Sequence, residues 1–316
     1  MKNQLADEAA ETVRYRLEDL SRRAVDIESA TFDDAKSDYA FNQAALATEE
    51  KYALVQRNYV QFESTLAGIT LNNLVFKTSD WSDFIDSIQL VNGSLLNLLS
   101  STKAYMDQVP QHLNDIFGKG SLEATAFTQL TNKEFDARFE YRIISALRNH
   151  LQHGDFPVKW LEFSSAWSTN EGIKESCAHK IAVLLSVDDL IRNDFIRAAT
   201  RAELRATGQS RLDVKPLVRG YISSIAQLHS NVRTSFDQKA QLAEERVRAL
   251  ISRAVKGISK EMLWGLSAVA INETGQLLEK IPVFPENIDR RKHLIDRSSL
   301  NTNLEKHFVS SEVASK

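Results

Sequence analysis

Cysteine is almost missing from this chain: Cys177 stands alone among 316 residues. That excludes an internal disulfide framework and any zinc site built on cysteine, and it fits a reducing compartment. Residues that turn or break a chain are scarce as well, with 11 glycines and 5 prolines, so long helices are expected. No apolar run reaches the roughly 18 residues that a membrane-spanning helix needs, and no contact with a membrane is expected. The opening stretch, MKNQLADEAAETVRYRLEDL, is acidic and has no apolar h-region, so no signal peptide is expected and the expected location is the cytoplasm. A surplus of either charge is missing too. Lys and Arg number 39 against 42 Asp and Glu, a net charge of −3. That balance argues against a generally basic nucleic-acid surface, though it leaves room for a local basic groove. The length allows one elongated domain or two compact ones, and is enough to bury a core without covalent staples.

What is present is helical periodicity. Leu5, Ala9, Val13, Leu17, Leu20, Ala24 and Ile27 recur at spacings of three and four, which predicts one apolar helix stripe. A second helix is predicted from Asp34 to about Leu66. Residues 1–78 therefore read as an N-terminal helical hairpin or arm, serving either as two bundle helices or as a dimerisation element. From Ser79 a new helix opens, with acidic residues at its start and a stripe of Phe84, Ile88, Val91, Leu95, Leu98 and Leu99. Pro110 is expected to kink it or to start the next piece. Gly118-Lys119-Gly120-Ser121 reads as a turn, since the spacer of a phosphate loop is absent. A further helix is predicted from about Asn132 to Leu151, stopped by Gly154-Asp155-Phe156-Pro157.

Two short alternating runs follow, Val158 to Ala166 and Ala178 to Ser186, and predict a small β-hairpin. Residues 191–282 then read as a C-terminal helical region, with helices over Val214 to Leu228 and Val232 to Val269. Residues 283–316 read as a polar tail, loosely held from about residue 290.

The stretch that bears on chemistry is Arg148-Asn149-His150-Leu151-Gln152-His153-Gly154. With 7 histidines and 21 arginines in the chain, an arginine followed by a histidine after four, five or six intervening residues arises by chance about 1.4 times. Its context is more specific: a polar Asn149 follows the arginine, and the pair closes an amphipathic helix just before a glycine. ALRNHLQHGDFP resembles the signature segment of the HEPN superfamily (higher eukaryotes and prokaryotes nucleotide-binding domains). The resemblance implies a HEPN-like helical core, here residues 79–190 together with the short β-hairpin, and a metal-independent endoribonuclease of a toxin or anti-phage defence system. It also implies an RNA substrate, a homodimer, and an antitoxin or defence-system partner protein. Catalysis would fall to Arg148, Asn149 and His153, with no metal and no cofactor.

Those residue types suit that reaction. RNA brings its own nucleophile in the 2′-hydroxyl. An imidazole titrates near neutrality and can move the proton, while a guanidinium offers a fixed fork of donors to a phosphate. On an ideal helix Arg148 and His153 stand about 140° apart, so the family's two-fold pairing of such helices would be needed to complete a pocket. A histidine before a helix-ending glycine is also favoured simply as a cap, by the dipole and the free carbonyls. Arg197, Arg201 and Arg205, four apart, predict a basic helical stripe that either tracks an RNA backbone or is a solvated face. Asp80, Asp83 and Asp86 share one helical face without the convergence a metal needs. The fold class expected is mainly α, a long-helix bundle with a HEPN-like helical core and a small β-hairpin insertion. The alternative function is a non-catalytic helical scaffold, or a regulator that binds nucleotide or RNA without cutting it.

Overall fold

A computed structural model describes residues 13–76, 80–153, 156–170, 173–257, 265–298, 303–307 and 309, with the backbone alone described at 149–153, 170, 173 and 305. The elements run in the order β1 (Arg14–Glu18), β2 (Ala24–Ile27), α1 (Ser29–Val75), α2 (Trp81–Phe117), α3 (Leu122–Ala137), α4 (Phe139–His153), β3 (Val158–Asn170), β4 (Ile173–Ser186), α5 (Val187–Arg192), α6 (Ala198–Ala206), β5 (Arg211–Asp213), α7 (Val214–Gly257), β6 (Ser267–Ile271), β7 (Leu277–Pro282) and α8 (Pro285–Arg297). The fold is mainly helical with small antiparallel sheets. Among the described residues no helix is long and apolar enough to cross a membrane. The chain divides into two compact units, one of segments 1–49, 114–119 and 234–297 and the other of segments 50–113, 120–233 and 298–316.

The first unit holds a four-stranded antiparallel sheet of order β2-β1-β6-β7. Leu17, Ala268 and Ile281 stand side by side across three strands. They face a core that includes Phe32, Val247, Leu250 and Ile288. The β1–β2 turn is organised by Asp19. Its carboxylate accepts from the backbone N–H of Ser21 (2.9 Å) and Arg23 (3.0 Å) and from the Arg23 guanidinium (2.6 Å). Phe236 packs edge-on against Phe41 at 5.9 Å and beside Phe117 at 6.1 Å.

Here the chain departs from its local periodicity. Arg14–Glu18 and Ala24–Ile27 are strands, where the spacing of apolar residues predicts a helix. The segment Arg14-Tyr15-Arg16-Leu17-Glu18 also alternates with period two, and β6, far along the chain, supplies the partner that decides between the two patterns. Likewise α7 ends at Gly257 and Ser267–Ile271 is a fully buried strand, where one helix to Val269 is expected. Within the predicted polar tail, Pro285–Arg297 is helix α8 and Leu304–Lys306 is a 3-10 turn. Pro285 occupies the first position of α8, where its missing N–H costs nothing, and Ile288, Arg291 and Leu294 form a buried stripe spaced by three.

The second unit is held by parts of α1, α2 and α7. His229, fully buried, stacks on Tyr52 at 3.8 Å and shares a 2.9 Å hydrogen bond with the Tyr105 hydroxyl. Arg219 grips Glu63 bidentately at 2.7 and 2.8 Å. Pro110 lies inside a continuous α2. The Gly118-Lys119-Gly120-Ser121 turn is present as expected, with both glycines at positive φ (95° and 75°) and the Ser121 hydroxyl capping α3 by accepting from the Ala124 N–H at 3.3 Å. The helix expected from Asn132 is in fact two helices. Arg138 takes an extended conformation (φ −117°, ψ 118°) that ends α3 and admits α4.

The hairpin after the signature is longer than expected, with strands of 13 and 14 residues. Its base is buried through Val158, Leu161, Ile181, Val183 and Leu185. From Glu162 to Thr169 every residue of β3 is exposed. The three-residue β5 pairs only with Leu184–Ser186 of β4, so the distal half is a two-stranded ribbon. Buried Asn92 of α2 anchors the base: its side-chain amide donates to the Val158 carbonyl (2.9 Å) and accepts from the Val158 N–H (3.2 Å).

Candidate functional site

Helix α4 buries Tyr141, Ile143, Ile144, Ala146 and Leu147. That face fixes the roll of the helix and so places Arg142, Ser145 and Arg148, each three residues from the next, along one flank. All three line a polar cleft of about 380 Å³. The end of α3 contributes Phe135 to its wall, α2 contributes Asp107, and the chain from Phe195 to Arg197 contributes its rim.

Within the cleft each cation has a distinct setting. Arg148 is half-buried, and its guanidinium and the Ser145 hydroxyl both act on the hydroxyl of Tyr221, drawing its pKa down. Tyr221 is almost wholly buried, and burial holds its hydroxyl above the ordinary pKa of 10.0 against the pull of Arg148. Tyr141 beside it is raised in the same way, chiefly by burial. Arg142 is a clamp. It donates to the carbonyls of Phe135 (3.0 Å) and Asp136 (2.8 Å), satisfying the last turn of α3, and it pairs with Glu203 at 2.5 Å. Arg197 holds its guanidinium carbon 4.3 Å from the centroid of the Phe135 ring, is exposed, and has no carboxylate partner among the described residues. Among the described residues three guanidiniums, Arg142, Arg148 and Arg197, line the cleft against one carboxylate, Asp107, which is paired with Lys103, so the described lining carries an excess of positive charge.

Of the residues expected from sequence, Arg148 lines this cleft. The backbone of α4 continues through Asn149 and His153, but the side chains of Asn149 and His153 lie outside the described residues, as do Gly154 and Asp155. The expected Arg197–Arg205 stripe is divided. Arg197 precedes α6 as its N-terminal flanking residue and joins the cleft. Arg201 is turned to the Asn193 carbonyl at 3.0 Å, and Arg205 is exposed one turn on. Neither of these two lines the cleft. Arg142 and Phe195 were not singled out from sequence. The three-residue recurrence Arg142-Ser145-Arg148 was a readable signal for the first, whereas the contribution of Tyr221 arrives from a distant helix and had none. Among the described residues no group of three or more His, Cys, Asp or Glu is placed to hold a metal ion.

A cleft so built can hold a phosphate or another compact anion against Arg148 and Arg197, with aromatic surface at hand. No protein-family model matches the chain, and neither a curated protein nor a solved structure does.

Proposed function

We propose that this chain is an endoribonuclease of the HEPN kind, acting on RNA as a homodimer, with Arg148, Asn149 and His153 in the catalytic roles. One observation carries the proposal: Arg148, the arginine of the signature, opens onto an electropositive cleft that it shares with Arg142 and Arg197. An arginine that served only to cap or solubilise its helix would not need a half-buried setting against a buried hydroxyl.

In this reading the RNA 2′-oxygen attacks the adjacent phosphorus. A new P–O2′ bond forms as the P–O5′ bond breaks, leaving a 2′,3′-cyclic phosphate and a 5′-hydroxyl. One imidazole takes the 2′-hydroxyl proton and an acid returns a proton to the leaving 5′-oxygen. Arg148 offsets the charge that builds on the phosphoryl oxygens, and Asn149 orients an oxygen of the same group. A twin subunit would bring its own Arg148 and His153 and so supply the second proton-transfer group. Action as a toxin or defence effector, with a neutralising partner, belongs to the same proposal.

The test uses the full chain and labelled single-stranded RNA in EDTA. Cleavage that Arg148→Ala and His153→Ala each abolish, with helix content unchanged, supports the reading. Intact RNA with the parent protein and RNA binding retained would favour a non-cutting regulator. Neither binding nor cleavage would favour the scaffold.

A further inference from the structure

The rim of the cleft has a feature that the signature does not account for. Between α5 and α6 the chain is fixed by buried Asn193, whose side chain accepts from the Phe195 N–H at 2.9 Å and whose carbonyl accepts from the Ile196 N–H at 3.1 Å and from Arg201 at 3.0 Å. This scaffold alternates its side chains. Ile196 is buried, while Phe195 is 47% exposed and Arg197 is exposed. One aromatic ring and one guanidinium are thus presented together at the mouth of the Arg148 cleft. Cα atoms two residues apart lie at most about 7 Å from one another, which is the scale that separates a base from its own phosphate. The Arg197 guanidinium is held against the Phe135 ring by a cation–π contact, which restricts its position and leaves its N–H donors available to a phosphate.

We propose that Phe195 and Arg197 form a nucleotide subsite on the rim of the Arg148 cleft, Phe195 stacking a base and Arg197 holding the adjoining phosphate of a single RNA strand. This rests on the reading of the cleft as the place where RNA is held, and it adds the unit recognised there: one unpaired nucleotide beside the phosphate at Arg148. A duplex, with its bases stacked on one another, could not use it. Arg197 and Phe195 here are binding residues; the bond-breaking groups stay as assigned above.

The experiment measures binding, so it is independent of whether the chain cuts. A fluorescein-labelled single-stranded RNA hexamer is titrated against the full-length His153→Ala chain in EDTA by anisotropy, at several salt concentrations. The expected result is a loss of about tenfold in affinity for Phe195→Leu, which keeps apolar bulk and removes the flat face. The salt slope should be unchanged for that variant. Arg197→Ala should weaken binding and lower the slope by about 0.7, the loss of one phosphate contact on a single strand. AMP should displace the hexamer at lower concentration than inorganic phosphate does, and Phe195→Leu should erase that difference. A hexamer that fails to bind, or binding within twofold of the parent in both variants, would overturn the subsite. So would a duplex that binds as well as the single strand, or inorganic phosphate competing as well as AMP. Because both side chains are exposed, the variants should melt at the parent temperature, and a melt confirms it. If the parent chain binds as described but never cleaves, the subsite stands and the ribonuclease reading falls; if it cleaves and neither variant matters, the reverse holds.

Discussion

The Arg148 guanidinium of α4 sits against the hydroxyl of Tyr221 on α7, an almost completely buried group whose pKa it pulls down against burial. The contact joins two helices that are far apart in sequence. In the proposed reaction Tyr221 serves as a positioning residue for Arg148. Tyr221→Phe should leave the fold intact and lower kcat about tenfold, the scale of one hydrogen bond to a charged group, with KM nearly unchanged. Steady-state kinetics on the RNA substrate would check this. A change confined to KM, or none at all, would show that Arg148 holds its direction without the phenol.

The same hydroxyls give a pH dependence whose sign is fixed. Burial lifts Tyr141 and Tyr221 above 10.0, so each favours its neutral form in the folded state. Their stabilising contribution is complete below the unfolded value near 10 and is lost as pH rises through the higher folded values. Stability should therefore hold up to about pH 10 and decline beyond it. Tyrosinate absorbance should rise together with the loss of helical ellipticity. Ionisation of all tyrosines well before the ellipticity changes would contradict the burial.

Asp38 in the first unit provides the acidic counterpart. Burial raises its carboxyl above the ordinary 3.8, and Arg246 at 3.4 Å only partly offsets that. A raised carboxyl contributes stability that is present below the unfolded value and lost as pH rises through the folded one. Asp38→Asn should thus be at least as stable as the parent at pH 7, with the parent gaining relative to it on acidification toward pH 4. Arg246 keeps Asp34 at 3.1 Å as a partner in that variant. Urea melts at the two pH values measure the difference. A variant less stable at pH 7 by more than about 1 kcal/mol would place the Arg246 attraction above the cost of burial.

Asn92 joins α2 to the first residue of β3 with both ends of its amide, in a fully buried position. Asn92→Leu removes the partner of a buried N–H and a buried carbonyl together. We expect a loss of about 2–4 kcal/mol in urea melts, and weaker RNA cleavage through a displaced end of α4. A loss below about 0.5 kcal/mol would mean that water reaches Val158 in the variant.

How much of this was legible in the sequence depended on where each element finds its partner. The glycine-flanked turn at 118–121 and the β-hairpin after Pro157 were readable because their signals are local: positive-φ glycines in one case, alternation bounded by turn residues in the other. Leu17 keeps an apolar spacing that also serves a helix, and only its pairing with Ala268 decides for a strand. The break at Arg138 was invisible because no proline or glycine marks it; Arg142 satisfies the freed carbonyls instead. At the site, Arg148 was nameable from the resemblance of its segment and Arg197 from its four-residue spacing to Arg201, but their meeting in one cleft depends on how α3, α4 and α6 pack, and Tyr221 gave no sign of belonging there.

The exposed outer half of the β3–β4 ribbon carries a last consequence. Trp167 is exposed, with the Lys174 ammonium 5.2 Å from its ring centroid, and the described backbone pairing there is not backed by a core. Amide protons should therefore exchange with deuterium on two clocks. Those beside Leu161 and Val183 will wait for cooperative opening of the surrounding helices, while those beyond Ser165 and His179 will be released by fraying that leaves the rest of the molecule untouched.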